Sequence, residues 1–291
     1  MRRNNLTFSC ILFALLFSAC VWEDMANCNV SLHIKYDYNE DGRDKILEEV
    51  DHLDLFIFSE DGRLYKRLSI HPKIDGTSIT LPIEGGTYHL MAWGNVPPPT
   101  HQDVSYQYDT DSNKLIYQSD KLEFQDSVRG LFYGITESFT IDGDRRSSRE
   151  MSLVKNTKQI DVVIIGATDT ECEIFANNRN HDNENTPFDR LDSAPKKEKE
   201  EEGSIIYRFN THRLLLVDSL KSSLKFTGKQ EGTGEQISID ESLITLLLKH
   251  PDIKDLDRSD YYRIELICVK NYLRPIIKVN GYTVVDLPGD L

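Results

Sequence analysis

One cysteine near the N-terminus, Cys20, has neighbours that suit chemistry at its thiol. It follows the small residues Ser18 and Ala19, and these follow a basic start and an apolar run over residues 11–17. A basic, then apolar, then small segment is typical of a secretory signal peptide. Small residues directly before a cysteine resemble the bacterial lipobox, in which the thiol receives a diacylglycerol and the chain is cut before it. We therefore expect residues 1–19 to be a lipoprotein signal peptide and Cys20 to carry covalent diacylglycerol and acyl lipid, such as palmitate.

Two features bear on this prediction. Phe17 fits the lipobox less well than an aliphatic residue would, and the alternative is plain secretion with Cys20 as an incidental thiol. The apolar run is too short to remain as a transmembrane helix, which needs about 20 apolar residues. The acidic pair Glu23 and Asp24, within a few residues of Cys20, resembles the surface-export signal of Bacteroidota lipoproteins. Its alternative is a solvated acidic spacer.

Oxygen-bearing side chains over residues 37–48 match the pattern of an EF-hand calcium loop. Asp37, Asn39 and Asp41 occupy its first three ligand positions and Glu48 its last. A calcium site of this kind needs helical flanks, whereas the preceding residues alternate as a strand. The competing interpretation is a polar loop at a strand end, and we expect no metal as a cofactor.

The sequence has no other arrangement typical of catalysis. It contains no HExxH, GxSxG or CxxC motif, and its carboxylate pairs lie in charged, solvated runs. We expect no enzyme activity. The formal net charge is −14, and the mature chain from residue 20 loses two arginines and no acid, which leaves 32 basic against 48 acidic residues, or −16. This charge, with no basic cluster, argues against nucleic acid as a partner.

Three cysteines remain after the signal peptide and the lipidated residue: Cys28, Cys172 and Cys268. Because three is an odd number, at most one intrachain disulfide can form. Buried free thiols and a single bridge are both open, and the sequence does not assign a pair.

Short apolar runs between turn signals are typical of a mostly β, sandwich-like fold. None of the runs in the first half looks helical. A polar stretch over residues 142–150 indicates a boundary, so we expect a lipidated tether over 20–29, an N-terminal β-sandwich domain over 30–145 and a C-terminal one over 151–291.

The second half contains one long polar segment, residues 177–203, which we predict to be a mobile loop because it has almost no aliphatic residues. We expect a strand at 214–217 after it. Further on, Asp240 and Pro251 bracket a leucine-rich segment as helix start and stop signals. A tight turn is expected at 280–281.

In order and spacing, several segments resemble the FimB-type fimbrial anchor and subunit family of Bacteroidales, whose members build type V pili. The segments that carry the resemblance, besides Cys20 and Cys28, are 36–39, 55–62, 86–95, 131–134 and 279–281. The resemblance implies two tandem transthyretin-like (Greek-key) β-sandwich domains held by lipid at the outer membrane. It also implies a non-enzymatic surface lipoprotein that anchors a fimbrium or forms a minor subunit of it, with other fimbrial subunits as partners.

Subunits of such fibres can join by β-strand complementation, in which an extended segment of one chain completes the sheet of the next. The C-terminal segment, with Tyr282, Val284, Val285 and Leu287, is the candidate for strand exchange because it is terminal, short and apolar. The alternative is that it pairs within its own sheet. A second function left open is a lipidated carbohydrate- or host-binding β-sandwich module.

Overall fold

The computed structural model of the protein describes residues 29–96, 104–109, 114–119, 130–142, 147–176, 191–193, 196–199, 203–214, 216, 222–272 and 274–286. Within these residues the chain is mostly β, as the sequence predicts, with three short helices. No helix in this part of the chain is long and apolar enough to cross a membrane.

The N-terminal half contains a three-stranded and a six-stranded sheet. The first has the order β10-β1-β4, formed by β1 (Asn29–Lys35), β4 (Ser78–Pro82) and β10 (Ser147–Ser152). The second has the order β11-β8-β5-β2-β3, formed by β2 (Leu53–Ser59), β3 (Leu64–Ile70), β5 (Gly86–Gly94), β8 (Phe132–Ile135) and β11 (Val154–Lys155), with β9 (Phe139–Ile141) also paired to β5. A separate hairpin joins β6 (Val104–Asp109) to β7 (Lys114–Ser119).

Alternation along β1 explains the first core. Its apolar residues Val30, Leu32 and Ile34 are at most 1% exposed and belong to the same buried cluster as Leu55 and Ile57 of β2. The opposite face of β2 is buried as well, as its almost unbroken apolar sequence predicts. The two sheets therefore enclose one hydrophobic core between them.

The C-terminal half contains two further sheets. One has the order β15-β16-β12-β19-β20-β21, formed by β12 (Thr157–Ile165), β15 (Lys196–Lys199), β16 (Ile205–His212), β19 (Tyr261–Ile267), β20 (Ile276–Val279) and β21 (Tyr282–Val285). The other has the order β14-β13-β17-β18, formed by β13 (Ala167–Ala176), β14 (Leu191–Ser193), β17 (Ser223–Gln230) and β18 (Gln236–Glu241). Alternate residues of both sheets share a second buried cluster.

The three helices are α1 (Ile46–Glu49), α2 (Pro72–Asp75) and α3 (Leu243–Leu248). The first two lie where the sequence predicts no helix; each is a single turn, too short to leave a hydrophobic period. The leucine-rich helix α3 is confirmed, but its start is not at Asp240, which lies in β18. Ser242 caps it instead, and its hydroxyl accepts a hydrogen bond from the backbone N–H of Thr245.

Two further predictions, a strand at 214–217 and a loop at 177–203, differ from the structure. The strand expected at 214–217 does not form at its described positions, because β16 ends at His212 and Leu216 lies in a short 3₁₀ turn. Two short strands, β14 and β15, lie within the segment 177–203 that we predicted as a loop. They pair with β13 and β16 respectively, so partner strands supply the order that local apolar content does not.

The two cysteines in the described residues, Cys172 and Cys268, are free and buried. Burial raises the pKa of both thiols, and that of Cys268 to about 11. Cys28 lies outside the described residues.

Candidate functional site

Four of the predicted site residues, Cys20, Glu23, Asp24 and Leu287, lie outside the described residues. The others fall in two places: the C-terminal strand β21, and the polar loop and helix α1 that follow β1.

Strand β21 is the last strand of its sheet, and it pairs antiparallel with β20 through Tyr282 opposite Val279 and Thr283 opposite Lys278. Val284 and Val285 are half-buried and pack against the C-terminal core. The strand therefore pairs within its own sheet. In the described part of the chain no strand pairs with its outer edge, so that edge presents backbone N–H and C=O groups.

The turn before β21 has the geometry that the sequence predicts. Asn280 and Gly281 have φ angles of 46° and 83°, which are the positive values that a tight two-residue hairpin turn requires. Arg263 of β19 donates its backbone N–H to the Asn280 side-chain oxygen at 2.8 Å. The hairpin that presents β21 is thus fixed to its neighbouring strand.

The registers place the two chain ends far apart. Strand β1 begins at Asn29, opposite Pro82, and runs towards Tyr36, which contacts the C-terminal half. Strand β19 starts beside this contact and runs away from it. Val285 of β21 pairs with Ile277 of β20, and Ile277 pairs with Leu266 near the end of β19. The end of β21 therefore lies beside the end of β19. The N-terminal segment enters at one end of the described molecule, and β21 leads towards the other.

Side chains from both halves meet at a polar junction, which we define as loop 36–45 and helix α1 of the N-terminal half with loop 255–260 of the C-terminal half. The Tyr36 hydroxyl donates to the Asp260 carboxylate at 3.2 Å, and the Tyr38 hydroxyl donates to Asp255. The Arg258 guanidinium lies 4.5 Å from the centre of the Tyr38 ring. Several directed contacts therefore fix the two halves to each other.

Lys158 of β12 packs against loop 255–260 of the polar junction, and its side chain is 0% exposed. Its ammonium donates to the carbonyl oxygen of Asp257 at 3.0 Å and lies 3.6 Å from the Asp260 carboxylate. Burial lowers the pKa of Lys158, although the negative charge of Asp260 acts in the opposite direction. Lys155 adds a link across the junction, with ion pairs of 3.1 Å to Glu49 and 3.2 Å to Asp260.

The residues of the calcium pattern have partners within the protein. The Asn39 side chain is buried, donates to the carbonyls of Tyr36 and Arg43, and accepts from the backbone N–H of Gly42.

The carboxylates of the same pattern do not converge on one point. Asp37 pairs with Lys35 at 3.1 Å, Asp41 pairs with Lys45 at 2.6 Å, and Glu48 lies exposed in α1. These contacts describe a polar strand-end loop that supports the junction. No cluster of three or more His, Cys, Asp or Glu side chains suited to a metal ion occurs among the residues that the structure describes.

Sequence reasoning missed loop 255–260 and the buried Lys158. The only available signal was the acidic repeat Asp255, Asp257 and Asp260 directly before a strand, and such a repeat is more often a solvated surface. A lysine within an alternating strand gives no sign that its partner comes from another element.

Comparisons with known proteins agree with this architecture. Solved structures that resemble the chain include the fimbrial anchor protein Mfa2 from Porphyromonas gingivalis, at 15% identity and a TM-score of 0.63 over 88% of this chain and 98% of that one. They also include two proteins from Bacteroides thetaiotaomicron. One, described as a proposed polysaccharide-binding protein, matches at 21% identity and a TM-score of 0.70 over 88% of this chain and 97% of that one.

The other, described as a proposed adhesin, matches at 23% identity and a TM-score of 0.67 over 89% of this chain and 98% of that one. At these identities the likenesses show the fold alone. No curated protein sequence is significantly similar to the chain.

A family model, that of the fimbrillin-A associated anchor proteins Mfa1 and Mfa2, matches residues 25–287. The match covers nearly all of the chain after the predicted lipidation site, and it confirms the resemblance to fimbrial anchor proteins of Bacteroidales inferred from the sequence motifs. This family is of the fimbrial accessory kind and is not a class of enzymes. The chain belongs to the family of fimbrillin-A associated anchor proteins.

Proposed function

We propose that the protein is a lipid-anchored surface component of a fimbrium, attached to the outer membrane at Cys20 and joined to a fimbrial subunit at its opposite end. The observation that carries this proposal is the placement of the two chain ends. The N-terminal segment enters beside Asn29, whereas β21 leads away from the polar junction towards the far end of the C-terminal half. An anchor needs this separation of membrane and fibre contacts.

The finer architecture belongs to the same proposal. Each half contains two main sheets, which supports a pair of transthyretin-like Greek-key domains in tandem. One buried cluster lies within the N-terminal half, and the other joins the C-terminal sheets to residues of the N-terminal half such as Phe56 and Trp93. Glu23 and Asp24 then serve as the signal that brings the lipoprotein to the outer leaflet. No catalytic step is part of this function.

The outer edge of β21 is the proposed contact with the next subunit. Its backbone groups can pair with an added strand, and the exposed Tyr282 and Thr283 can contact alternate side chains of that strand. The half-buried Val284 and Val285 hold β21 in its own sheet. We therefore propose that β21 receives a strand at its edge, and not that it leaves its own sheet to be donated.

Site-specific photocrosslinking tests this contact without disturbing the core. A benzophenone amino acid is placed at Thr283, and the matched control carries it at the exposed Lys66 on another edge strand, β3. We expect irradiation of fimbriated cells to link position 283, and not position 66, to a fimbrial subunit. Equal adducts at both positions, or an adduct only at 66, would contradict the assignment of β21.

The membrane contact is tested separately by Cys20→Ala. The lipidated chain should label with palmitate and stay with the membrane in 1 M NaCl, because acyl chains and not surface charge hold it there. The variant should lose the label and leave the membrane fraction. A variant that still labels and remains attached refutes lipidation at this residue.

A further inference from the structure

An open groove lies at the turn between β2 and β3, where it meets the start of β5. It has a volume of about 730 Å³, and the residues that matter here are Ser59, Asp61, Arg63, Tyr65, Thr87 and Tyr88. This volume is in the range of small-ligand sites. The groove is remote from both β21 and the polar junction, so the proposed function makes no use of it.

A β-bulge places an aromatic ring in this groove. In the β2–β3 ladder Lys66 pairs with Ile57 and Leu64 with Phe58, so Tyr65 is the extra residue without a partner in the ladder. A bulge redirects the side chain of its extra residue. Tyr65 is 44% exposed, so much of its side chain is accessible to a ligand.

The ring of Tyr65 packs against the ring of Tyr88. Tyr88 is 6% exposed, and the two ring centres are 5.3 Å apart at an angle of 66°. Gly86 leaves room for this arrangement, because a Cβ atom at that position would lie only 3.2 Å from the Tyr88 ring. The exposed face of Tyr65 is therefore supported by an ordered edge-to-face contact.

Polar side chains line the rim beside the ring. Asp61 accepts a hydrogen bond from the Ser59 hydroxyl at 2.6 Å and pairs with Arg63 at 3.3 Å. The Ser59 hydrogen bond lowers the pKa of Asp61, so its carboxylate is ionised at neutral pH. Both charged side chains of the pair remain more than half exposed, which leaves hydrogen-bonding capacity for a ligand.

We propose that this groove binds a saccharide, with one sugar ring stacked on Tyr65. The axial C–H groups of a pyranose carry partial positive charge and suit the negative face of an aromatic ring. The carboxylate of Asp61 and the guanidinium of Arg63 can accept from and donate to neighbouring ring hydroxyls. A purely apolar ligand would leave this rim unpaired, and a polyanion would face the carboxylates of Glu60 and Asp61.

The position of the groove indicates the source of the saccharide. Gly86 follows Pro82 by four residues, at most about 14 Å of chain, and Pro82 lies opposite Asn29 at the start of β1. The groove is thus at the end where the N-terminal segment enters. If the chain is anchored at Cys20, this end faces the cell, so we assign the ligand to the polysaccharide of the cell's own surface.

Binding is measured by titration calorimetry on the full mature chain in mild detergent. One probe is the polysaccharide released from the producing cell's lipopolysaccharide by mild acid, and the other is a set of soluble trisaccharides including maltotriose. We expect Tyr65→Ala to weaken binding about tenfold and Tyr65→Phe to retain it, since the stacking face is kept. Tyr261→Ala, which removes a tyrosine that is 40% exposed elsewhere, is the matched control and should bind as the parent chain does.

The outcomes separate the parts of this proposal. Binding of the cell's polysaccharide that Tyr65→Ala weakens supports both the site and its source. Binding of maltotriose alone, weakened in the same way, supports a saccharide site and overturns the assigned source. No binding of either probe, or binding that Tyr65→Ala leaves unchanged, overturns the site. Arg63→Ala, at a side chain 78% exposed, repeats the test if Tyr65→Ala does not fold. None of these results depends on crosslinking at Thr283, so the saccharide site and the proposed fibre contact are tested independently.

Discussion

At the scale of single residues, the most unusual group is the buried ammonium of Lys158. Because burial lowers its pKa below the usual 10.5, the folded protein releases this proton at a lower pH than the unfolded chain does. Between the lowered pKa of the folded state and the usual 10.5, the unfolded state binds more protons, so the free energy of unfolding rises with pH. Below this pH range, burial of the charged ammonium of Lys158 lowers the free energy of unfolding. This destabilisation disappears as pH approaches 10.5, because the folded protein then holds Lys158 in its neutral form.

The variant Lys158→Met tests this sign, because it keeps the length of the side chain and removes the charge. We expect the free energy of unfolding of the parent protein, minus that of the variant, to increase as pH rises towards 10.5. Urea unfolding in steps of one pH unit from 7 to 10 measures the difference. A difference that is constant or falls with pH contradicts the placement of Lys158 as a buried cation.

The thiol of Cys268 gives a second residue-scale prediction. A rise in its pKa from 9.0 to about 11 lowers the thiolate fraction at pH 8 by about a hundredfold, and the thiolate is the reactive form. We expect iodoacetamide to label Cys268 at least about a hundredfold more slowly in the native protein than in urea. Peptide mass spectrometry follows the label at this cysteine. Equal rates in both conditions would mean that the thiol is not buried.

At the scale of elements, the sequence predicts what local patterns determine. The alternation in β1 and the Asn-Gly turn before β21 are local signals, and both elements form as expected. The bulge at Tyr65 has no such signal, because it depends on how β3 pairs with β2. The role of loop 255–260 depends in the same way on a partner more than 200 residues earlier in the chain.

The hairpin that carries β21 depends on Gly281, whose φ of 83° disfavours other residues. We expect Gly281→Val to destabilise the hairpin by about 1–2 kcal/mol, because a β-branched side chain clashes in this conformation. Hydrogen exchange at the amides of β21 should accelerate by about tenfold while β12 is unaffected. Gly281→Asn is the matched control, since asparagine tolerates a positive φ better, and its effect should be smaller.

At the scale of the whole molecule, the position of the chain ends matters only if the two halves hold a fixed orientation. Asp260 takes part in several contacts of the junction, because its one carboxylate accepts from Tyr36 and pairs with Lys155 while Lys158 lies close by. The junction should therefore couple the unfolding of the two halves.

We expect the parent protein to unfold in a single calorimetric transition and Asp260→Asn to unfold in two, since the neutral amide leaves two lysines without their shared partner. The loss of coupling should be smaller than the roughly 3–5 kcal/mol lost when one partner of a fully buried ion pair is removed, because the Asp260 side chain is 32% exposed. The matched control is Asp169→Asn, which alters an exposed pair with Lys229 inside the C-terminal half and should change stability by less than about 1 kcal/mol. A single transition in both variants would mean that apolar packing between the halves, and not the polar junction, transmits the coupling. In that case the surface that fixes the orientation of the two halves must be sought among the buried aromatic residues Trp93 and Tyr133, which share a cluster with the C-terminal core.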